Sequence, residues 1–203
     1  MKTYYSFWNT QTGETEPTDG TELTATQYPV ISGDGKYQLK VWTEDAAGNI
    51  CEDIWQEEFK VDTTAPELEN LYLTTADVDG AVGILAQDQN SLVYRYIYQN
   101  AVNIQISFNC DISGQSKIEY QFTSSFAYDN AKWNEYNAKT GLTVNPNKKF
   151  ILAVHATDQA GNQTIVYSDG IIVDNEAPVG EGLAPEITIT PDSPNANGYH
   201  NGD

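Results

Sequence analysis

Basic residues are scarce in this sequence. Its 203 residues include 10 Lys and Arg against 29 Asp and Glu, which gives a formal net charge of −19 at pH 7. Such a charge repels polyanions, and no cluster of basic residues reverses it locally, so the composition argues against nucleic acid and anionic lipid as partners. There is also no run of eighteen apolar residues, and no leader with a charged and then an apolar segment. We therefore predict neither a membrane span nor an export signal in this segment.

Histidine and cysteine occur only twice each. His155 falls on the outward side of a predicted strand, so we expect a surface residue rather than a general base. No Ser/His/Asp or Cys/His spacing suggests a nucleophile, and the sequence is not predicted to be an enzyme. Cys51 and Cys110 are too few for a disulfide framework. We expect no bond between them and place Cys110 in the core, while a partner for Cys51 is left open.

What the sequence does contain is strand-like alternation of apolar and polar residues. In "VNIQISFNC" (102–110) every second residue is apolar, and "KIEYQF" and "FILAVHA" follow the same rule. Short runs of this kind, separated by Gly, Asn, Asp and Pro and without a long helical pattern, predict an all-β fold of antiparallel sandwiches. The predicted strands lie at 67–73, 101–111, 116–124, 133–137, 140–144, 148–157 and 163–174.

One phrase is written twice, about 112 residues apart. "DAAGNICEDIWQEEFKVDTTAP" occupies 45–66, and "DQAGNQTIVYSDGIIVDNEAP" occupies 158–178. The alignment extends upstream, where Leu39 matches Leu152, Val41 matches Val154, and "TYYSFWN" (3–9) falls on "IEYQFTS" (118–124). Self-similarity at a fixed period indicates a tandem array of modules, and this period suits one small sandwich domain.

The repeat predicts the domain organisation. Residues 1–64 match the C-terminal half of a module, and residues 65–177 form a complete one with an added hairpin or loop near 76–98. Residues 178–203 contain a linker and the start of a third copy, because "APEITI" repeats the opening "APELEN". We therefore expect the first and last copies to be truncated, and the first to expose sheet edges that could pair with another chain.

The repeated phrase itself predicts a hairpin turn followed by a joint. Asp45 and Asp158 can accept hydrogen bonds from backbone amides a few residues on, and the glycines at 48 and 161 can supply a positive φ, which the following Asn also tolerates. Pro66 and Pro178 lack a donor, so each should end the ladder and pass the chain to the next module.

Four motifs together carry a resemblance to a known family. They are an I-x-Y strand, a W-x-x-Y segment, an A-x-D-x-A-G-N turn and a terminal V-D-x-x-A-P. Here they are Ile118 with Tyr120, Trp133 with Tyr136, 156–162, and 173–178. The combination resembles the bacterial immunoglobulin-like (Big-type) repeats that occur in tandem in cell-surface and secreted proteins. The first copy departs from it by having "TELTATQYPV" in place of W-x-x-Y.

The resemblance implies an extracellular, non-catalytic module of a bacterial surface or secreted protein, used as a spacer, a stalk or an adhesive element. Its implied partners are neighbouring repeats of the same chain, and a glycan or protein of the host or cell wall. The alternative is an accessory carbohydrate-binding or ligand-binding module of a multidomain secreted enzyme.

Two kinds of site follow as hypotheses. Carboxylates from adjoining modules could form an oxygen-rich cage for structural Ca²⁺, the only cofactor considered. The candidate ligands are Asp62, Glu67, Asp77, Asp79, Asp174 and Glu176, with Glu181 beside the second joint. Trp8 and Trp42 lie on neighbouring strands and face outward by alternation, so this pair is the candidate platform for a sugar ring. Trp133 is assigned to the packing of its own module.

Overall fold

The protein is described by a computed structural model that covers residues 1–51 and 54–177. Every regular element in those residues is a β-strand, and no helix occurs among them, so the predicted all-β class is confirmed. The N-terminal part is a four-stranded antiparallel sheet, here called the first sheet, with strand order β2-β1-β3-β4. Its strands are β1 (Lys2–Asn9), β2 (Thr21–Glu22), β3 (Gly35–Glu44) and β4 (Trp55–Val61).

The remaining strands form two sheets, here called the two-sheet unit. One sheet has the order β11-β8-β5-β6, and the other has the order β10-β9-β12-β14-β7 with β13 also paired to β12. The strands are β5 (Glu67–Thr75), β6 (Val78–Gly83), β7 (Tyr94–Tyr98), β8 (Val102–Asn109), β9 (Gln115–Thr123), β10 (Asn134–Glu135), β11 (Leu142–Val144), β12 (Lys148–Asp158), β13 (Gln163–Tyr167) and β14 (Gly170–Val173).

A single hydrophobic core joins these two sheets face to face. It contains Ile104 and Ile106 of β8 together with Leu152 and Val154 of β12, all at most 3% exposed. The alternation of β8 is the cause, because every second side chain points to the same face of the sheet. The arrangement is consistent with a β-sandwich.

Each strand predicted from the sequence is present, but the last one is interrupted. Val154 pairs with Val166 and Phe150 pairs with Ile171, so four residues along β12 are matched by five along its partner. The extra residue belongs to the pair Ser168 and Asp169, which separates β13 from β14. The segment 76–98, expected to be an added hairpin or loop, contains β6, which pairs with β5, and β7, which runs parallel to β14.

Asp169 holds this interruption in place. Its side chain is 2% exposed, and Oδ2 lies 2.8 Å from Nε of Arg95 on β7. Its backbone N–H donates to Ile84 O. A buried carboxylate needs such a cationic partner, since an unpaired charge in the interior is strongly destabilising.

The pairing of β1 with β3 in the first sheet has the same register as the pairing of β9 with β12 in the two-sheet unit. Tyr5 lies opposite Val41, and the aligned residues Tyr120 and Val154 lie opposite each other. The short strands agree as well, because Tyr5 pairs with Thr21 of β2 while Tyr120 pairs with Asn134 of β10. The internal alignment therefore places residues at equivalent positions of two similar sheets.

This equivalence explains the missing W-x-x-Y of the first copy. Trp133 and Tyr136 correspond to Gly20 and Leu23. In the two-sheet unit the Trp133 ring packs on His155, 5.2 Å between centroids. In the first sheet Trp42 occupies the His155 position, and a Cβ atom at Gly20 would lie 2.1 Å from its Cη2. In the first sheet the large ring therefore lies on β3, with β1 between it and β2, and Gly20 leaves room for it.

His155 is therefore not the surface residue predicted from alternation. Its side chain is 12% exposed, because Trp133 covers the outer side of the sheet. Its Nδ1 lies 3.4 Å from Oε2 of Glu119. Alternation identified the face correctly but could not reveal that a neighbouring segment covers it.

The exchange of rings between strands can be tested by substitution. We expect Gly20→Ala to lower the free energy of unfolding by about 1–3 kcal/mol, because the new methyl group overlaps the Trp42 ring. In a Trp42→His background, Gly20→Trp should raise stability, because it rebuilds the pair seen at Trp133 and His155. Urea denaturation followed by far-UV circular dichroism measures both effects.

Gly83→Ala is the matched control, because a Cβ atom there meets nothing within 4 Å. If Gly20→Ala proves as mild as Gly83→Ala, the packing of Trp42 on Gly20 is not tight.

Candidate functional site

The linker at residues 62–66, between β4 and β5, is held by hydrogen bonds from both sides. Its first half is held by Asp34, which precedes β3. One carboxylate oxygen of Asp34 accepts from the backbone N–H of Thr63 at 2.9 Å and from its hydroxyl at 2.8 Å, and the other accepts from the Thr64 hydroxyl at 2.6 Å. These bonds hold the pKa of Asp34 below its ordinary value, and the bond from the Thr64 hydroxyl has the largest effect.

The other side of the linker is held by the two-sheet unit. Asn162 donates its side-chain N–H to Asp62 O at 3.0 Å, and the backbone N–H of Ser113 donates to Asp62 Oδ2 at 2.9 Å. The Thr164 hydroxyl donates to Pro66 O at 2.6 Å. Side chains and amides from both parts of the protein thus bind the same five-residue linker.

A related arrangement recurs where the two-sheet unit ends. Asn147, at the position equivalent to Asp34, donates its side-chain N–H to Glu176 Oε1 at 3.0 Å. Its Oδ1 accepts from the backbone N–H of Asn175 at 3.4 Å. Asn175 and Glu176 correspond to Thr63 and Thr64, so the residue before the long central strand contacts the outgoing linker in both copies.

The turn of the repeated phrase has the predicted hydrogen bonds. Asp158 Oδ1 accepts from the backbone amides of Gly161 and Asn162 at 2.7 and 2.9 Å, and Oδ2 accepts from the Asn162 side chain at 2.9 Å. Asp45 accepts the equivalent bonds from the backbone and the side chain of Asn49. Gly48 and Gly161 have φ values of 90° and 95°, so the positive φ predicted for them is confirmed.

The role given to the asparagines of these turns is corrected. Among the described residues only Asn147 is a non-glycine with positive φ, so Asn49 and Asn162 do not use that region of conformational space. Each instead donates its side-chain amide to the Asp that starts the turn. Asn162 also reaches the linker, and it therefore connects the turn to the joint.

The two turns differ in burial. Asp158 is 2% exposed, whereas Asp45 is exposed. Burial would raise the pKa of Asp158, but the bonds from Asn162 and from the turn amides outweigh it, and the pKa lies below its ordinary value. The pKa of Asp45 is also lowered, and the hydrogen bond from the Asn49 side chain is the main cause.

The proposed Ca²⁺ ligands are dispersed and partly occupied by N–H donors. Asp62 accepts from Ser113 and from the Thr64 amide, and Asp77 accepts from the amides of Gln99 and Asn100. Glu67 and Asp79 are exposed. The amides of Asn100 and Gln99 help to hold the pKa of Asp77 below its ordinary value.

Two of these carboxylates do approach one cleft. Asp77 and Asp174 line a cavity of about 720 Å³ at the end of the two-sheet unit, with Tyr98 and Ile172. Glu176 lines a neighbouring cavity of about 310 Å³ with Asp174. Within the described parts of the chain, no three His, Cys, Asp or Glu residues are grouped so that they could hold a metal ion. Glu181 and Pro178 lie outside the described residues.

The Trp8 and Trp42 pair does not form an open platform. Trp8 is 6% exposed, so the prediction that it faces solvent is wrong. The loop between β1 and β2 folds over this face of the first sheet, where Glu16 forms an ion pair with Lys40 and Gly20 contacts Trp42. Trp42 is half-buried, stacks on Tyr4 at 5.9 Å between centroids, and borders a groove of about 310 Å³.

The cysteines also differ from expectation in part. Cys110 is half-buried just after β8 rather than fully inside the core, and burial raises the pKa of its thiol. Cys51 is half-buried, and its Sγ accepts a hydrogen bond from the Thr43 amide at 3.4 Å.

Asp34, Ser113 and Asn147 were missed by sequence reasoning. A signal for two of them was available, because the repeat alignment places Asp34 of "ISGDGK" opposite Asn147 of "VNPNKK". Both are short side chains that can accept hydrogen bonds from a nearby backbone. Ser113 contributes only its backbone amide, which almost any residue type could supply, so the sequence does not indicate it.

Comparison with known proteins adds no relative. No protein-family model matches the chain, and no curated protein matches it. No helix in the described residues is long and apolar enough to cross a membrane.

The buried turn should contribute more to stability than the exposed one. We expect Asp158→Ala to lower the free energy of unfolding by about 2–4 kcal/mol, because buried N–H donors lose a charged acceptor. Asp45→Ala, the matched control in the exposed copy, should cost clearly less. Equal losses would contradict this difference between the two turns.

The same carboxylates predict an acid dependence. Since the folded-state pKa of Asp158 is lowered, its stabilisation is complete above the unfolded value of about 3.9 and is lost as the pH falls through the folded value. We expect the melting temperature of the wild type to fall below about pH 4, and that of Asp158→Ala to fall less steeply. Calorimetry between neutral and acid pH tests this, and parallel curves would contradict it.

The dispersed carboxylates predict little response to Ca²⁺. We expect the melting temperature in about 5 mM CaCl₂ to equal that in EDTA, because a ligand stabilises only a fold that binds it. An increase with Ca²⁺ that EDTA reverses, and that Asp174→Asn abolishes, would instead support a site at the second joint.

Proposed function

We propose that this chain is a non-catalytic segment of tandem immunoglobulin-like modules that acts as a spacer or stalk in a large bacterial surface or secreted protein. Residues 1–64 would be the second half of one module, 65–177 a complete module, and 178–203 the beginning of another. Its partners are the neighbouring modules of the same chain, and the array could present an adhesive element at its end.

The observation that carries this proposal is the linker at 62–66, which is bound on both sides. Asp34 holds it from the first sheet, and Asn162, Ser113 and Thr164 hold it from the two-sheet unit. An unbound linker of this length would let modules rotate independently. A hydrogen-bonded linker limits the rotation of the modules, and limited rotation at every linker keeps the array extended.

The ends of the module support the same reading. The first linker contacts Asn162, just after β12 ends, whereas Asp174 donates its backbone N–H to Tyr98 O beside the start of β12. The two joints therefore lie at opposite ends of β12, an 11-residue strand. At about 3.4 Å per residue, each module would add about 35 Å to the array.

The strand order supports an immunoglobulin-like topology. In chain order, β5, β8 and β11 take the places of strands A, B and E, and β9, β12 and β14 take those of C, F and G. The equal registers of the first sheet and of β9-β12 support a second copy of the same unit. The burial of Trp8 removes one of the two rings on which the carbohydrate-binding alternative was based.

The stiffness of the joint can be measured. We expect ¹⁵N relaxation of the full chain to give the first sheet and the two-sheet unit one common rotational correlation time. The double variant Asp34→Ala with Asn162→Ala removes a side-chain contact on each side of the linker. It should separate the two correlation times and broaden the distance distribution in small-angle X-ray scattering.

Asp79→Ala combined with Asn90→Ala is the matched control, because it removes the same side-chain groups from exposed positions away from the linker. Independent tumbling in the wild type, or no change in the joint variant relative to this control, would contradict the spacer proposal.

A further inference from the structure

One side-chain amide connects the buried turn at 158–162 to the linker at 62–66. Nδ2 of Asn162 lies 3.0 Å from Asp62 O and 2.9 Å from Asp158 Oδ2, and it donates to both. The group has two N–H donors, so it can serve the linker and the turn at once. The carboxylate of Asp158 therefore orients Asn162 toward the linker.

Within the described part of the chain, the hydrogen bonds to Asp158 all come from N–H groups. Oδ1 accepts from the backbone amides of Gly161 and Asn162, and Oδ2 accepts from the Asn162 side chain. A protonated carboxyl is a weaker acceptor and has an O–H that needs an acceptor of its own. Because Asp158 is buried, water does not replace what is lost. Protonation of Asp158 should therefore weaken the bond that orients Asn162.

The carboxylate on the other side of the linker has different partners. Asp34 accepts from the hydroxyls of Thr63 and Thr64 as well as from the Thr63 amide. A hydroxyl can rotate and accept the proton of a neutral carboxyl, whereas an N–H cannot. Acid should therefore affect the contact made by Asn162 more than the contacts made by Asp34.

No basic side chain of the described residues forms an ion pair with Asp158. On β9, Gln115 lies opposite it, and Lys117 is paired with Glu119. The titratable groups toward the linker are a thiol and two further carboxylates, namely Cys110, Asp62 and Asp111. Burial raises the pKa of this thiol, and the charges of Asp158 and of the other two carboxylates raise it further. The charge of Asp158 is thus balanced by N–H donors and not by a cation.

We propose that Asp158 makes the joint acid-sensitive: when it is protonated, Asn162 releases Asp62, and the linker separates from the two-sheet unit while both sheets stay folded. The inference rests on the proposed spacer function and adds its regulation, because an array that is stiff at neutral pH becomes flexible in acid.

The pH range follows from the sign of the shift. Burial raises the pKa of Asp158, but the bonds from Asn162 and the turn amides outweigh it, and the pKa in the folded state is lowered. The contact is therefore complete above the unfolded value of about 3.9 and is lost as the pH falls through the folded value.

Backbone ¹⁵N order parameters of the linker, measured on the full chain, test the proposal. Asp158→Asn places an uncharged amide at this position at neutral pH, where all other carboxylates keep their charge. We expect the order parameters of Asp62 and Thr63 to fall from about 0.85 to below about 0.7, while those of β12 stay near 0.85. Asn162→Ala should give the same result, because it removes the contact and leaves the Asp158 carboxylate in place.

Asp45→Asn is the matched control, because Asp45 accepts the equivalent bonds in the exposed turn, and it should leave the linker unchanged. In the wild type, acidification should lower the order parameters of the linker before the near-UV circular dichroism of the folded sheets is lost. In Asp158→Asn they should already be low and stay constant.

Three results would overturn the proposal: a rigid linker in both Asp158→Asn and Asn162→Ala, an equal effect of Asp45→Asn, or loss of linker order in acid only together with the near-UV signal. Failure of the spacer function is seen separately, because it appears as independent tumbling of the two parts of the wild type at neutral pH, whatever the order parameters of the linker.

Discussion

Short acceptor side chains at the ends of strands hold this protein together. Asp45 and Asp158 bind the amides of their turns, Asp34 and Asn147 contact the outgoing linkers, and Asp77 joins two neighbouring turns. The backbone has left the ladder at each of these places, so its N–H groups need another acceptor. Part of the chain's excess of acidic residues thus serves to accept hydrogen bonds from the backbone. The repeated phrase contains two of these acceptors, Asp45 and Asp158.

The strands were predictable because alternation is a local signal. β8, β9 and β12 were identified from apolar residues two positions apart, and the tight turns from Asp and Gly within one pentapeptide. The interruption at Ser168 and Asp169 was not predictable in this way, because it depends on Ile84 and on Arg95, more than seventy residues upstream. Contacts across such distances leave no pattern within the segment itself.

The errors at Trp8 and His155 have one cause. Alternation assigns a side chain to a face, but only tertiary structure decides what covers that face. Trp133 covers His155, and the loop before β2 covers the outer side of the first sheet. The linker contacts were hidden for the same reason, since Asp34 binds Thr63 29 residues away and Asn162 reaches Asp62 100 residues away. The Gly20 and Trp42 exchange became visible only when both sheets could be aligned by register.

The placement of the two linkers at opposite ends of β12 has a mechanical consequence. A pull applied at Pro66 and Asp174 acts along the strands rather than across them, because β5 starts at one end of the two-sheet unit and β14 finishes at the other. Under that tension the hydrogen bonds between β14 and both β12 and β7 are strained together in shear instead of opening one after another. A unit loaded in this way should resist extension more strongly than one whose strands are peeled apart one hydrogen bond at a time.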